Sequence, residues 1–305
     1  MFKEREKGIE KLKPRPFSLK ILLFFFHSGI NVKGVVKFTS GIDFIATISM
    51  FEKLFEHGIL EFRKDKFMIK SIASNKSFAS IYEIDSAMLD EYEVDEEFII
   101  AVNLEDLKDL LKRHEKKEVG IKLEVDGYKL RCFITKKVGG RKKQVYSKLI
   151  TELPFQDVKT VIPDLDIVSA FEKLKQLEET LSASVKIFSM LYSDVFTHDF
   201  KKLVDSYVFK GVKDENMVIV QGVGSDKDIE YVNEFRIGDE AVVEVDVKED
   251  CESSYSSDNL TELASKIKKL SDIVEIKFGT YKPLVLKVNT IGNAVITYYQ
   301  APRKE

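Results

Sequence analysis

The chain has little of several features on which whole classes of protein depend. Only two of its 305 residues are cysteine, Cys132 and Cys251. They cannot form a disulfide framework, and no signal peptide is apparent, so we expect a reducing cytosolic setting. The closest approach to a long apolar run, residues 19–26, falls well short of the ~20 residues that a membrane span needs. No membrane partner is expected.

Catalytic constellations are also missing from the sequence. The four histidines are scattered without metal-ligand spacing, residues 222–225 lack the third glycine of a dinucleotide loop, and residues 139–143 lack phosphate-loop spacing. We therefore expect no catalytic residue, cofactor or metal. Carboxylates are plentiful, however, and a nucleic-acid-processing enzyme stays open as an alternative. Such an enzyme should turn over DNA with a divalent metal.

The charge is unevenly distributed along the chain. The net charge is -3, yet residues 1–35 carry eight Lys and Arg against three Glu. An acidic protein still binds nucleic acid if its positive charge is gathered on one surface. Residues 1–35 have two interpretations: a real extension that docks its apolar segment, or a start site assigned too early, with translation beginning near residue 35 or 36.

Hydrophobic periodicity indicates that one series of elements occurs twice. Strand and helix patterns at residues 36–40 and 44–55 precede a hairpin at 59–72, a strand at 98–102, a helix at 104–116 and a hairpin at 119–135. The same order recurs as a strand at 184–191, a helix at 193–204, a hairpin at 207–220, strands at 228–235 and 241–247, a helix at 257–270 and three C-terminal strands. Because tight hairpins give antiparallel sheets, with helices covering only one face, we predict an α+β protein. Its two similar domains would each have two helices.

Short motifs in both halves resemble one known family. The second half reads S-Y-S at 254–256, V-E-I-K-F-G at 274–279, P-L at 283–284 and T-Y-Y-Q-A-P-R at 297–303. The first half has weaker matches, Y-E-V at 92–94, I-A-V-N-L at 100–104 and K-R at 112–113. These segments are similar to DNA sliding clamps of the proliferating-cell-nuclear-antigen (PCNA) type.

The resemblance implies a non-enzymatic DNA polymerase processivity factor that encircles duplex DNA as a ring of three subunits. Its expected partners are double-stranded DNA, polymerase, ligase, flap nuclease and a clamp loader, the proteins binding through short peptide motifs. It would be cytoplasmic and nucleoid-associated in a prokaryote, or nuclear in a eukaryote. The ring would be a homotrimer, or the chain would be one subunit of a hetero-trimeric or checkpoint-type clamp. The implied domains are 36–150 and 182–305, with an extension at 1–35 and a connector at 151–181.

Basic residues recur on the predicted helices. A lysine on an exposed helix face is usually only solubilising, but three helices of a duplicated protein share the feature. The resemblance implies contact with the DNA backbone by Lys53, Lys112, Lys143, His198, Lys201 and Lys266. The basic faces of the predicted helices add Lys108, Arg113 and Lys268 to the candidate DNA-facing residues.

The resemblance also implies a pocket for client peptides and an edge-to-edge subunit interface. The pocket residues would be Ile72, Ser77, Ala79, Pro283, Tyr299, Ala301 and Pro302. For Tyr299 and Pro302 the competing interpretation is that they only close the final sheet. The interface would involve Val145, Tyr146, Ile229, Tyr231 and Val232.

The connector is longer than the family's extended segment. Ile167, Phe171, Leu174, Leu177 and Leu181 have helical spacing, which predicts an inserted helix of about three to four turns. This helix would cover the client pocket, modify client choice, or simply pack as an extra core element.

Overall fold

The computed structural model describes residues 33–38, 40–114, 119–127, 129–138, 144–197, 203–226 and 228–303, and it describes only the backbone of 135–138, 144–151, 197 and 229–230. All of them lie in one compact unit that spans 32–305. The chain is mainly antiparallel strands with a few helices, so the predicted α+β class is confirmed.

The first series of elements, here called the first repeat, runs from β1 to β9. Its members are β1 (Lys33–Phe38), α1 (Gly41–Leu54), β2 (His57–Phe62), β3 (Lys66–Ile72), β4 (Phe78–Asp85), β5 (Glu91–Val94), β6 (Phe98–Asn103), α2 (Leu104–Leu111), β7 (Gly120–Asp126), β8 (Lys129–Val138) and β9 (Gln144–Pro154). Short 3-10 turns lie at Ser86–Met88 and Lys112–His114.

Two helices follow, and then the second repeat runs from β10 to β18. The helices are α3 (Val158–Val161) and α4 (Ile167–Glu178). The second repeat comprises β10 (Ala183–Phe188), α5 (Ser189–Thr197), β11 (Ser206–Val212), β12 (Met217–Val223), β13 (Ile229–Phe235), β14 (Val242–Val247), β15 (Cys251–Ser256), α6 (Ser257–Ile267), β16 (Ile273–Phe278), β17 (Leu284–Asn289) and β18 (Val295–Gln300).

The sheets repeat the same strand order. A five-stranded sheet has the order β5-β1-β7-β8-β9, and its equivalent β14-β10-β16-β17-β18 forms part of a nine-stranded sheet. That large sheet continues as β4-β3-β2-β6, whose equivalent β13-β12-β11-β15 is a separate four-stranded sheet. The two repeats are therefore joined inside the chain where β18 pairs with β4, in an antiparallel register from Val295 opposite Glu83 to Gln300 opposite Phe78.

The main core lies between these sheets and a layer of four helices. Helix α1 packs against α2 and α6, and α5 packs against α6. Strand residues alternate between the two faces, so Leu60, Tyr82 and Tyr298 point into this core while their neighbours point to the outer face. The connector helix α4 lies on that outer face.

Some element boundaries differ from those that periodicity predicts. The strand predicted at 184–191 ends at Phe188, and α5 already begins at Ser189, four residues before its predicted start. An apolar run continues through Met190 and Leu191, and short apolar runs do not distinguish strand from helix. Leu203, expected on the apolar side of this helix, lies in a turn and is 55% exposed.

Candidate nucleic-acid interface and docking face

The predicted DNA-facing residues that the structure describes lie at the C-terminal ends of the helices. Lys53 and Lys266 are in the last turns of α1 and α6, while Lys112 and Arg113 lie in the 3-10 turn after α2. Lys268 follows α6 directly and is exposed. Cations there complement the partial negative charge of the helix end. The described members of this basic set therefore lie at one end of α1, α2 and α6.

Lys108 differs from the other basic residues because it already has a partner. Its Nζ lies 2.7 Å from a carboxylate oxygen of Glu52, across the contact between α2 and α1. The side chains of Lys108 and Glu52 are only 20% and 14% exposed. The charge of Lys108 is therefore compensated within the chain. Lys143, His198 and Lys201 lie outside the described residues.

The predicted pocket residues come together around the join between β18 and β4. Ile72 lies opposite Ala79 in one pairing, and Tyr299 lies opposite Ala79 in the next. The amide of Ala301 donates to the carbonyl oxygen of Ser77 at 2.8 Å. Of the remaining two, Pro283 directly precedes β17 and Pro302 follows Ala301, and both are half-buried. The seven residues thus share one region of the fold.

Helix α4 covers the centre of this region. Tyr299 is only 2% exposed and Ala79 only 3% exposed, and both belong to an apolar cluster with Phe171 of α4. Periodicity predicted the helix but not the face to which it binds. The residues missed from sequence are the polar ones that hold it, Glu178 and its partners Lys277 and Lys287. They lie about one hundred residues apart, and no local pattern links them.

The predicted interface residues lie on two strands at the edges of their sheets. Val145 and Tyr146 are in β9, the edge of the five-stranded sheet, and Ile229 is in β13, the edge of the four-stranded sheet. Within the described ranges, neither strand pairs on its outer side. Val232 is 48% exposed. Tyr231, by contrast, packs against the main core, and its hydroxyl donates to the carbonyl oxygen of Val195 at 2.8 Å.

The described residues show no reactive cysteine and no metal cluster. Burial raises the pKa of the Cys132 thiol to about 12, and burial also raises the pKa of Cys251. Both thiols are therefore protonated at neutral pH and unreactive. No group of three or more His, Cys, Asp or Glu is placed to hold a metal within the part of the chain that the structure describes. Among the described helices, none is both long and apolar enough to cross a membrane.

Solved structures identify the class of fold. PCNA from Thermococcus kodakaraensis superposes with a TM-score of 0.68 at 19% identity, covering 88% of this chain and 100% of that one. A PCNA2–PCNA3 complex from Sulfolobus tokodaii gives a TM-score of 0.66 at 22% identity, covering 89% and 100%. The chain has the fold of PCNA.

Sequence relatives identify the family. No protein-family model matches the chain. A DNA polymerase sliding clamp from Thermofilum pendens is 31% identical over 222 residues, which are 73% of this chain and 79% of the relative. The DNA polymerase sliding clamp of Pyrococcus furiosus is 23% identical over 270 residues, 88% of this chain and 98% of the relative. The chain belongs to the DNA polymerase sliding clamp family.

Proposed function

We propose that this protein is a processivity factor, a ring subunit that encircles duplex DNA and tethers replication and repair enzymes to it. The observation that carries the proposal is the pairing of β18 with β4 inside the chain. Strand β9 of the first repeat is the equivalent of β18, and strand β13 of the second repeat is the equivalent of β4. Both β9 and β13 occupy the edges of their sheets. Pairing β9 of one subunit with β13 of the next would repeat the internal join and leave neither edge open.

Ring closure makes strong DNA affinity unnecessary. A closed ring is held by topology, so phosphate contacts can stay weak enough for sliding. The helix layer fits this requirement, because Lys53, Lys112, Arg113 and Lys266 supply positive charge at helix ends while Lys108 is neutralised by Glu52. Contact would therefore be with the backbone, without sequence readout.

The outer face supports the tethering role. Partners such as polymerase, ligase, flap nuclease and clamp loader would dock around the join between β18 and β4, and the loader would open the ring.

We assign residues 36–150 and 182–305 to the two clamp domains, 151–181 to the connector and 1–35 to an extension. The protein would act without catalysis of its own, as a DNA-associated protein of the cytoplasm in a prokaryote.

Retention on circular DNA tests this proposal. The chain is loaded onto nicked plasmid with the clamp loader of the same cells and ATP, and the complex is isolated by gel filtration. A ring should stay on the circle and be lost when a restriction enzyme linearises it, because it slides off the ends. Equal retention on circular and linear DNA would overturn encirclement.

A hetero-trimeric ring is the second candidate. It is favoured by the similarity to a complex of two different PCNA chains, PCNA2 and PCNA3. In that case β9 and β13 would pair with paralogous subunits instead of further copies. Light scattering separates the two: about three chains per particle supports self-assembly, and a monomer that gains mass only with a paralogue supports the hetero-trimer.

A further inference from the structure

The outer face of the nine-stranded sheet carries an apolar cluster separate from the main core. From the sheet come Ile59, Ala79, Ile81, Ala101, Val285 and Tyr299, and from the connector and its helices come Val158, Ile167, Phe171 and Leu181. Within the described part of the chain, residues 158–181 are the segment that shields this cluster from water. Such satellite clusters contain far fewer buried contacts than a main core, so they open at lower free energy.

Helix α4 contacts the sheet through one apolar stripe, as a helical peptide bound in a groove does. Its fully buried anchors are Ile167 and Phe171, one helical turn apart, while Glu172, Lys173 and Gln176 on the opposite side are exposed. A helix that presents one apolar stripe to a groove uses a common mode of peptide recognition.

The helix start is also stabilised locally. The carboxylate of Asp166 accepts hydrogen bonds from the amide of Ser169 at 3.3 Å and from its hydroxyl at 2.9 Å. The side chain thus caps the first turn. The first turn therefore has a local cap in addition to the contact that Ile167 makes with the sheet.

Polar contacts hold the C-terminal end of α4. A carboxylate oxygen of Glu178 lies 3.0 Å from Nζ of Lys277 and 3.8 Å from Nζ of Lys287. The hydroxyl of Tyr299 lies 3.5 Å from the other oxygen of Glu178. Since Lys277 and Lys287 are 24% and 36% exposed, these pairs are partly screened by solvent. They favour one register of the helix on the sheet.

The surface beneath α4 contains a charged pair. Glu61 and Lys70 form an ion pair with side chains only 2% and 9% exposed, and Arg63 also pairs with the Glu61 carboxylate. Nζ of Lys70 lies 5.8 Å from the centre of the Phe171 ring. Burying charges costs solvation free energy, which is regained when the cover leaves. Opening α4 would rehydrate this pair and so offset part of the lost apolar burial.

Both ends of the segment are fixed to the sheet. Gln156 exchanges two backbone hydrogen bonds with Ala101, at 3.0 and 2.9 Å, before α3. After α4, the amide of Ser182 donates to the carbonyl oxygen of Phe278 at 3.0 Å. The residues between these two points are therefore tethered to the sheet at both ends.

We propose that α4 is a lid over the docking face, which is the outer surface of the sheet around Ala79 and Tyr299. Client proteins would displace α4 with a helix that has the same pattern of apolar and acidic residues. The matching helix has two large apolar residues one turn apart, equivalent to Ile167 and Phe171. A carboxylate follows about two turns after the second, where it meets Lys277 and Lys287. This inference rests on the proposed tethering function, since it identifies the client class and how access is controlled.

Native-state hydrogen exchange on the unmodified chain tests the lid directly. The amides of α4 should exchange through a local opening, much faster than those of β17 and β18, which exchange only on global unfolding. Urea below the unfolding transition should raise the exchange rate of α4 less steeply than that of β17 and β18, because opening of α4 exposes less surface than global unfolding. If α4 exchanged together with β17 and β18, the helix would be an integral core element and the lid would be refuted.

Peptide binding in trans tests the docking face. The probe is a fluorescein-labelled peptide of this chain's own residues 164–182, titrated by anisotropy. Phe171→Asp removes the central anchor of the tethered helix, and Gln176→Asp adds the same charge on its exposed side. The probe should bind Phe171→Asp about tenfold or more tightly than the wild type or Gln176→Asp, because competition by the lid is removed. Equal affinity for all three proteins would overturn the proposal.

A change in the probe alone tests the charge complementarity. A peptide in which Glu178 is replaced by Gln should bind Phe171→Asp about fivefold or more weakly than the original peptide, because it loses the pairing with Lys277 and Lys287. Equal affinity would refute the carboxylate requirement. These measurements need neither DNA nor ring assembly, so failure of the lid and failure of the clamp function are separable.

Discussion

Tyr299 lies directly opposite Ala79 in the antiparallel register that joins the second repeat to the first. The two side chains are 2% and 3% exposed, and α4 covers them. The same two residues thus take part in the join between the repeats and in the docking face. A partner that docks at Tyr299, as proposed, would therefore contact both repeats.

Replacing an exposed residue on the β13 edge should break the ring. Val232 is 48% exposed on this edge, so Val232→Arg would place a charge in the proposed pairing with β9 of the next subunit. We expect the mass by light scattering to fall from about three chains to one. Val243→Arg is the control, since Val243 is 42% exposed on the edge strand β14 outside the proposed interface. An unchanged mass for Val232→Arg would contradict the assignment.

Removing the basic helix ends should weaken DNA contact in a salt-dependent way. The triple variant Lys112→Ala, Arg113→Ala, Lys266→Ala removes three charges assigned to phosphates. We expect the slope of log affinity for a duplex against log salt to flatten by about one per lost contact, or about three in all. The control variant replaces the exposed Lys173, Lys213 and Lys248 by Ala. Equal slopes for the two triple variants would mean that the helix ends do not face DNA.

The ion pair between Glu52 and Lys108 should restrain DNA binding. With Nζ of Lys108 held 2.7 Å from Glu52, part of its charge is unavailable to a phosphate. Glu52→Gln should free it, raising duplex affinity and steepening the salt slope by about one. Glu105→Gln, an exposed carboxylate on α2, is the matched charge change that frees no lysine. If Glu52→Gln and Glu105→Gln steepen the salt dependence equally, Lys108 makes no phosphate contact of its own.

Much of the fold is predictable because both repeats obey simple periodicities. Alternation in β16 matches its alternating burial, and the apolar stripe of α6 matches its buried face. Strands β17 and β18 are buried along most of their length, which alternation alone does not predict. Boundaries are less predictable where apolar residues continue across them, as at Phe188, where β10 ends and α5 begins. The hydrophobic pattern of a sequence does not show the hydrogen bonds at which a helix or strand ends.

The proposed docking face is only partly predictable, for a different reason. The spacing of Ile167 and Phe171 reveals an amphipathic helix, but an apolar stripe fits any apolar surface. The position of α4 on the sheet is favoured by the ion pairs of Glu178 with Lys277 and Lys287, and these form only once the sheet has folded. Tyr231 illustrates the same limit, since alternation along an edge strand does not say which face is covered. Tertiary contacts decide these cases.

The buried carboxyl of Asp43 should give stability a specific pH dependence. Burial raises the pKa of Asp43 above its ordinary value of 3.8, and the residue is 8% exposed in the first turn of α1. Between the unfolded and folded pKa values the folded state therefore holds more protons, so stability falls as the pH rises through this window. Above the window the penalty is fully present, and Asp43→Asn removes it.

We expect Asp43→Asn to raise the free energy of unfolding at pH 7 by an amount on the order of 1 kcal/mol or less, and to lose this advantage near pH 4. Urea unfolding at several pH values measures it. Asp258→Asn is the control, because Asp258 occupies the first turn of α6 but is exposed. It should lose only a favourable interaction with the helix end, a few tenths of a kcal/mol. If the free energy of unfolding changed equally from pH 4 to pH 7 in Asp43→Asn and in the wild type, burial of Asp43 would not be the cause of the pH dependence.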